Sequence, residues 1–124
     1  MAEPPNLHAD DAARNNQRRV FPFTSGEILV EHGIVQRVEF TDKRCNLTLK
    51  NATSRRQRVH VKIYVLNSDL VELWRQAERW RLSSLQPDRS HLTSWAFAPR
   101  VPEVVWDQRL RENTRPAWVL ICTG

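Results

Sequence analysis

Only three glycines occur in this 124-residue chain, so the glycine-rich loops that cradle phosphates have no room in it. Its four histidines, His8, His32, His60 and His91, are scattered, with no two within a turn of each other. Metal centres need clustered Cys, His or carboxylate ligands at short spacing, so neither a metal nor another cofactor is expected. No apolar run approaches the ~20 residues a membrane helix needs, and no membrane span is expected. The first twenty residues lack the apolar segment of a secretory signal. Read as a whole protein, the chain is expected in the cytoplasm; read as a piece of an exported protein, it belongs to the cell envelope. Ser83, Ser84, Ser90 and Ser94 lie outside any nucleophile-elbow context, so no catalytic residue is assigned and an enzyme is not expected.

Cysteine is equally sparse. Cys45 and Cys122 both fall at apolar-phase positions of expected strands, where a cysteine behaves as a small buried hydrophobe. A disulfide between them would need Cα atoms within about 7 Å, and the sequence leaves that pairing open. Lysine is scarce too. Arginines outnumber lysines by 16 to 3, and together they give a formal net charge of +5 and a pI near 10.0. Arginine favours bidentate contact with phosphate and carboxylate, so an anionic partner is favoured by charge. Five tryptophans compensate for few aliphatics, since each can bury roughly 200 Å². At 14.6 kDa the chain is long enough for one core without metal or disulfide staples.

The stretch 45–67, CNLTLKNATSRRQRVHVKIYVLN, carries the clearest pattern. Cys45, Leu47 and Leu49 alternate with polar residues, as do Val59, Val61, Ile63 and Val65. Successive strand side chains point to opposite faces, so each arm buries one face and solvates the other. A polar turn between two such runs predicts a β-hairpin.

The flanking chain extends the same theme. Residues 1–19 are polar and lack apolar surface to offset ordering entropy, which predicts a disordered arm; Arg14, Arg18 and Arg19 at its end suit an acidic surface. Residues 20–124 are expected to form one domain. Within it VFPF is an apolar anchor broken by Pro22, and EILVE and IVQRVEFT form strands joined by His32-Gly33. In the second of these Gln36 interrupts the alternation, and Asp42-Lys43-Arg44 is the turn that follows.

Residues 68–85 read two ways. Asp69 and Glu72 have capping-box spacing, and Leu70, Leu73, Trp74, Ala77 and Trp80 recur at helical intervals. The same residues alternate as strands after an Asn67-Ser68-Asp69 turn, and the all-β surroundings favour strands, with room for a short helix within 69–81 around Gln76 to Arg79. Gln86-Pro87-Asp88-Arg89 has proline where a type I turn takes it. HLTSWAFA is a further strand, Pro99 and Pro102 bracket a loop, and 104–106 is an expected edge strand. Residues 109–116 form a charged loop, and AWVLIC is a terminal strand apolar on both faces, as a central strand would be. About 7–9 short strands with polar turns predict an all-β, antiparallel sandwich.

Three pieces of this series carry a resemblance. Leu49-Lys50-Asn51, Val61-Lys62-Ile63-Tyr64-Val65-Leu66-Asn67 and Leu85-Gln86-Pro87-Asp88 are similar to the strand and turn patterns of immunoglobulin-like sandwiches of the FxLYD type. There an x-V-x-N-x-S strand leads to V-x-V-x-L-Y-D, and L-x-P-G precedes a further strand. Asp88 stands in place of the glycine. The resemblance covers roughly residues 45–97 and implies an immunoglobulin- or fibronectin-like sandwich. It also implies a non-catalytic module of a cell-envelope protein, and carries over no functional residue.

Asn46-Leu47-Thr48 and Asn51-Ala52-Thr53 match glycosylation sequons, which have no weight without a secretory signal. Basic residues gather as Arg55, Arg56 and Arg58, as Arg75, Arg79 and Arg81, and as Arg109, Arg111 and Arg115. The first two groups with Trp74 make the candidate interaction surface. The first reading of function is an interaction or assembly module with a protein partner. The second is a basic domain binding RNA or single-stranded DNA, with Trp74, Trp80 and Trp118 as stacking platforms. Glu72, Glu78, Asp107 and Glu112 lie among the same arginines and dilute their field, which favours the module.

Overall fold

The structure is a computed structural model, and it describes residues 17–23, 27–99 and 113–123. Among these lie nine strands: β1 (Gln17–Pro22), β2 (Glu27–Glu31), β3 (Ile34–Phe40), β4 (Arg44–Asn51), β5 (Gln57–Leu66), β6 (Glu72–Arg75), β7 (Trp80–Leu85), β8 (Ser90–Ala96) and β9 (Trp118–Thr123). They form two antiparallel sheets. One has the order β1-β9-β5-β6, with β7 also bonded to β5; the other has the order β2-β3-β4-β8. The architecture of the described residues is therefore all-β, as alternation and turn spacing predict.

Two compact units divide the chain. The first gathers β1, residues 61–79 and residues 113–123. It buries Val61, Ile63, Val65, Leu66, Leu73, Trp74, Val119, Leu120 and Ile121. The second comprises residues 27–60 and 80–98, and it buries Ile34, Val38, Phe40, Cys45, Leu47, Leu49, Val59, Leu85 and Phe97. Every apolar position read as inward-facing in stretch 45–67 is buried. β9, expected to be central, lies between β1 and β5 with Val119, Leu120 and Ile121 all buried.

The hairpin reading of that stretch is overturned. β4 bonds to β3 and β8, whereas β5 bonds to β9, β6 and β7, so the two arms belong to different sheets. Alternation fixes which face of a strand is buried, but says nothing about which ladder its edges join. The connection is held by Asn51, which is fully buried. Its Nδ2 donates to the carbonyls of Arg55 at 2.7 Å and Leu85 at 2.9 Å. Its Oδ1 accepts from the Thr53 N–H at 2.9 Å and the Thr53 hydroxyl at 2.6 Å. Both amide hydrogens are committed inside the fold, so the second sequon presents no accessible asparagine.

Three further expectations change. The strands favoured for 68–85 form as β6 and β7, and the short helix allowed within 69–81 does not: Asn67 Oδ1 accepts the N–H groups of Asp69 and Val71 at 2.9 Å each, which holds the chain in a loop before β6. The turn at Gln86–Arg89 is closed by an Arg89 N–H to Gln86 carbonyl bond of 3.2 Å, but Asp88 has φ 57. Positive φ at the third position makes it type II rather than type I. Strand β1 takes in Gln17, Arg18 and Arg19, pairing them with Thr123, Cys122 and Ile121, so the three residues assigned to the end of the arm are part of the first sheet. Ladder bonds to a neighbouring strand do not require an apolar side chain. Residues 1–16 and the expected strand at 104–106 lie outside the described residues.

The β2–β3 connection is a two-residue hairpin loop in which His32 and Gly33 have φ 51 and 75. Two successive positive values match the tight turn that suits strand twist.

Candidate functional site

A recess of the first unit lies over the row where β1, β9 and β5 run side by side. Register sets Arg18 opposite Cys122, and Cys122 opposite Lys62, so all three leave the same face of the sheet. The next row on that face is Val20, Leu120 and Tyr64. The segment after β6 supplies Ala77, Glu78 and Arg79, and Thr123 also lines the recess, which has a volume of about 450 Å³. This volume is within the range of small-ligand sites. Three cationic side chains and one carboxylate line it.

Gln76 fixes the geometry. It is buried, at 1% exposure. Its Oε1 accepts the Ile63 N–H at 2.8 Å, while its Nε2 donates to the carbonyls of Val61 at 3.2 Å and Glu78 at 3.0 Å. A side-chain amide thus stands in for a strand backbone along β5 and pins the bend that carries Glu78 and Arg79. Lys62 Nζ donates to the Gln76 carbonyl and sits 6.0 Å from the Tyr64 ring centroid. Burial pulls the Lys62 ammonium below the ordinary lysine range, and the Arg75 guanidinium adds to this; Glu72 and Glu78 oppose it.

The sequence-predicted surface is divided. Arg79 joins Arg18 and Lys62 in the recess. Arg75 is exposed, pairs with Glu72 at 2.9 Å, and reaches the recess through its charge on Lys62. Arg55, Arg56, Arg58 and Arg81 are exposed in the second unit and do not line the recess. Trp74 is buried at 8% exposure and lies opposite Val65, so it is a core residue and no platform for a partner. Neither Cys45 nor Cys122 is in a disulfide, so the pairing that the sequence leaves open does not form. Cys45 lies in register with Phe40 and Trp95, and Cys122 with Arg18 and Lys62. Burial pushes the Cys45 thiol up to about 12.

Sequence reading missed Lys62 and Gln76 as site residues. Lys62 is the one lysine of β5 and lies between the inward-facing Val61 and Ile63, and that was its available signal. Gln76 had none, because a glutamine that replaces backbone looks like any surface glutamine.

A second cluster lies within the second unit. Trp80 stacks on His91 with ring centroids 5.4 Å apart, and meets Trp95 edge-on at 6.4 Å. All three are half-buried. Among the described residues no group of three or more His, Cys, Asp or Glu side chains could hold a metal ion. No helix among them is long and apolar enough to cross a membrane. No protein-family model matches the chain, and no curated protein matches it.

Proposed function

We propose that the chain is a non-catalytic interaction or assembly module of a larger protein or complex. The whole of β1 belongs with the strands that follow it in one immunoglobulin-like β-sandwich domain of the FxLYD type, which thus begins before residue 20, and the recess over β1, β9 and β5 meets its protein partner. The observation that carries this reading is the fixed row of Arg18 and Lys62 on a sheet, completed by Arg79 on a bend pinned by Gln76. Recognition needs side chains held in place before the partner arrives. In contrast, the buried amides of Asn51, Asn67 and Gln76 are occupied with backbone groups, a structural role rather than a chemical one.

The sandwich is supported by strand neighbours. β4 and β8 are adjacent in one sheet, and β5 and β9 in the other, as strands B and E, and C and F, are in immunoglobulin domains. Asp88, where the FxLYD pattern carries glycine, has φ 57, the conformation a glycine would supply. The support is an analogy of fold, and the function rests on the site.

The alternative, a basic RNA- or single-stranded-DNA-binding domain, is favoured by the half-buried Trp80, His91 and Trp95 cluster beside exposed Arg81 on β7. Titrating tryptophan fluorescence with an oligo(dT) single strand at about 0.15 M salt separates the two. The module binds weakly, because two or three phosphate contacts give a shallow salt slope of about −0.7 each. Submicromolar binding with quenching would overturn the module in favour of the nucleic-acid reading.

A further inference from the structure

Resting on the module reading, we propose that the recess over β1, β9 and β5 is an acidic-peptide site, in which Arg18, Lys62 and Arg79 take side-chain carboxylates of an extended partner segment. Three cations face one carboxylate, Glu78, among the lining residues, a formal excess of two positive charges. Arg18 and Arg79 each make an interaction within the protein, and a guanidinium with five N–H donors retains capacity for a further acceptor. Guanidinium forks match carboxylates in a planar, two-point fashion.

The shape points to a chain rather than to a small ion. A recess of about 450 Å³ is far larger than one phosphate or carboxylate needs, and among the described residues β1 is the edge strand of its sheet, where an extended segment can approach without displacing a described strand. Tyr64 and Ala77 add apolar wall between the charges, which suits the methylene stems of glutamate. Burial first, and the Arg75 charge second, lower the proton affinity of Lys62, against Glu72 and Glu78, and a partner carboxylate beside the ammonium would oppose both lowering effects.

Cys122 makes the recess testable. It lines the site and is partly exposed, whereas Cys45 is fully buried, so a neutral alkylating reagent such as iodoacetamide reports on Cys122 alone in the native protein. The probe is a blocked hexaglutamate peptide, followed by anisotropy of a labelled copy and by the alkylation rate, with hexaglutamine and inorganic phosphate as controls. Saturating hexaglutamate is expected to slow alkylation at least about three-fold, while hexaglutamine leaves it unchanged. Arg79→Glu is expected to weaken peptide binding about ten-fold and Lys62→Gln about three-fold, against less than about two-fold for Arg56→Glu, the same charge change outside the recess.

Equal weakening by Arg79→Glu and Arg56→Glu, or unprotected Cys122, would overturn the assignment. Equal protection by phosphate at the same concentration would replace the peptide by a small anion. These outcomes leave the module reading in place when oligo(dT) does not bind; tight oligo(dT) binding removes that reading itself.

Discussion

Gln76 and Ile63 are joined by two hydrogen bonds: the Ile63 N–H reaches Gln76 Oε1 at 2.8 Å, and the Gln76 N–H reaches the Ile63 carbonyl at 3.2 Å. A residue outside the strands thereby pairs with β5 as a strand would, using its backbone for one bond and its side chain for the other.

Replacing Gln76 by leucine keeps the volume and removes both functions of the amide. The buried Ile63 N–H and Val61 carbonyl then lose partners, each costing about 1–3 kcal/mol. We expect Gln76→Leu to lower unfolding free energy by about 2–4 kcal/mol in a denaturant titration. A loss under about 0.5 kcal/mol would show that water or backbone movement replaces the amide.

Gly33 and Asp88 should respond to substitution with opposite signs. A Cβ on Gly33 would stand 2.2 Å from Thr53 Cγ2, at φ 75, so Gly33→Ala is expected to destabilise by about 2–3 kcal/mol. Asp88 already has φ 57, and its ion pair with Lys50 spans 3.7 Å between exposed groups. Asp88→Gly relieves the left-handed conformation and is expected to stabilise by about 0.5 kcal/mol. Thermal melts of the two variants check both signs.

Cys45 gives the protein an alkaline weakness. Its thiol is raised from 9.0 to about 12 by burial, so the unfolded chain releases this proton first as pH climbs. Its contribution to stability is full below pH 9 and is lost progressively toward pH 12. Between pH 8 and 10 that loss amounts to about 1.4 kcal/mol. Cys45→Ala should lower stability at pH 8 yet flatten the decline to pH 10, as measured by urea unfolding at both values.

Gln36 is buried in β3, in phase with Ile34, Val38 and Phe40, and its Oε1 has no hydrogen-bond partner among the described residues. Methionine has a similar length and no polar demand. Gln36→Met is expected to stabilise by about 1 kcal/mol, and a fall of the denaturation midpoint would show that the amide is satisfied in solution.

Gln36 also marks the limit of what could be read from the sequence. Its phase, shared with Ile34, Val38 and Phe40, is legible and makes it an inward residue, but its polarity makes the alternation look imperfect and hides that the period of two runs through it unbroken. Periodicity identified the buried faces of β4, β5 and β9 because one methyl-rich face per strand is enough to reveal them. Partner choice was not legible: the β4 and β5 arms look like a hairpin and are not, since Asn51 turns the chain with four side-chain bonds that composition does not announce. The recess was half legible. Arg18 and Arg79 were singled out as cations, but their meeting with Lys62 depends on the register of β1, β9 and β5, which no local pattern encodes.

Pairing of the first described strand with the last also governs how the protein can be made. Pro22 lies opposite Trp118, and Gln17 opposite Thr123, so β1 leaves the ribosome long before its partner is synthesised. At about 5–20 residues per second, roughly 100 residues take on the order of 5–20 s. For that interval β1 has no β9 to bond, and for its second half β5, once made, lacks the same neighbour along one edge. Any nascent or prematurely terminated chain lacking β9 therefore presents two unsatisfied strand edges at once, a ready substrate for holdase chaperones and for self-association.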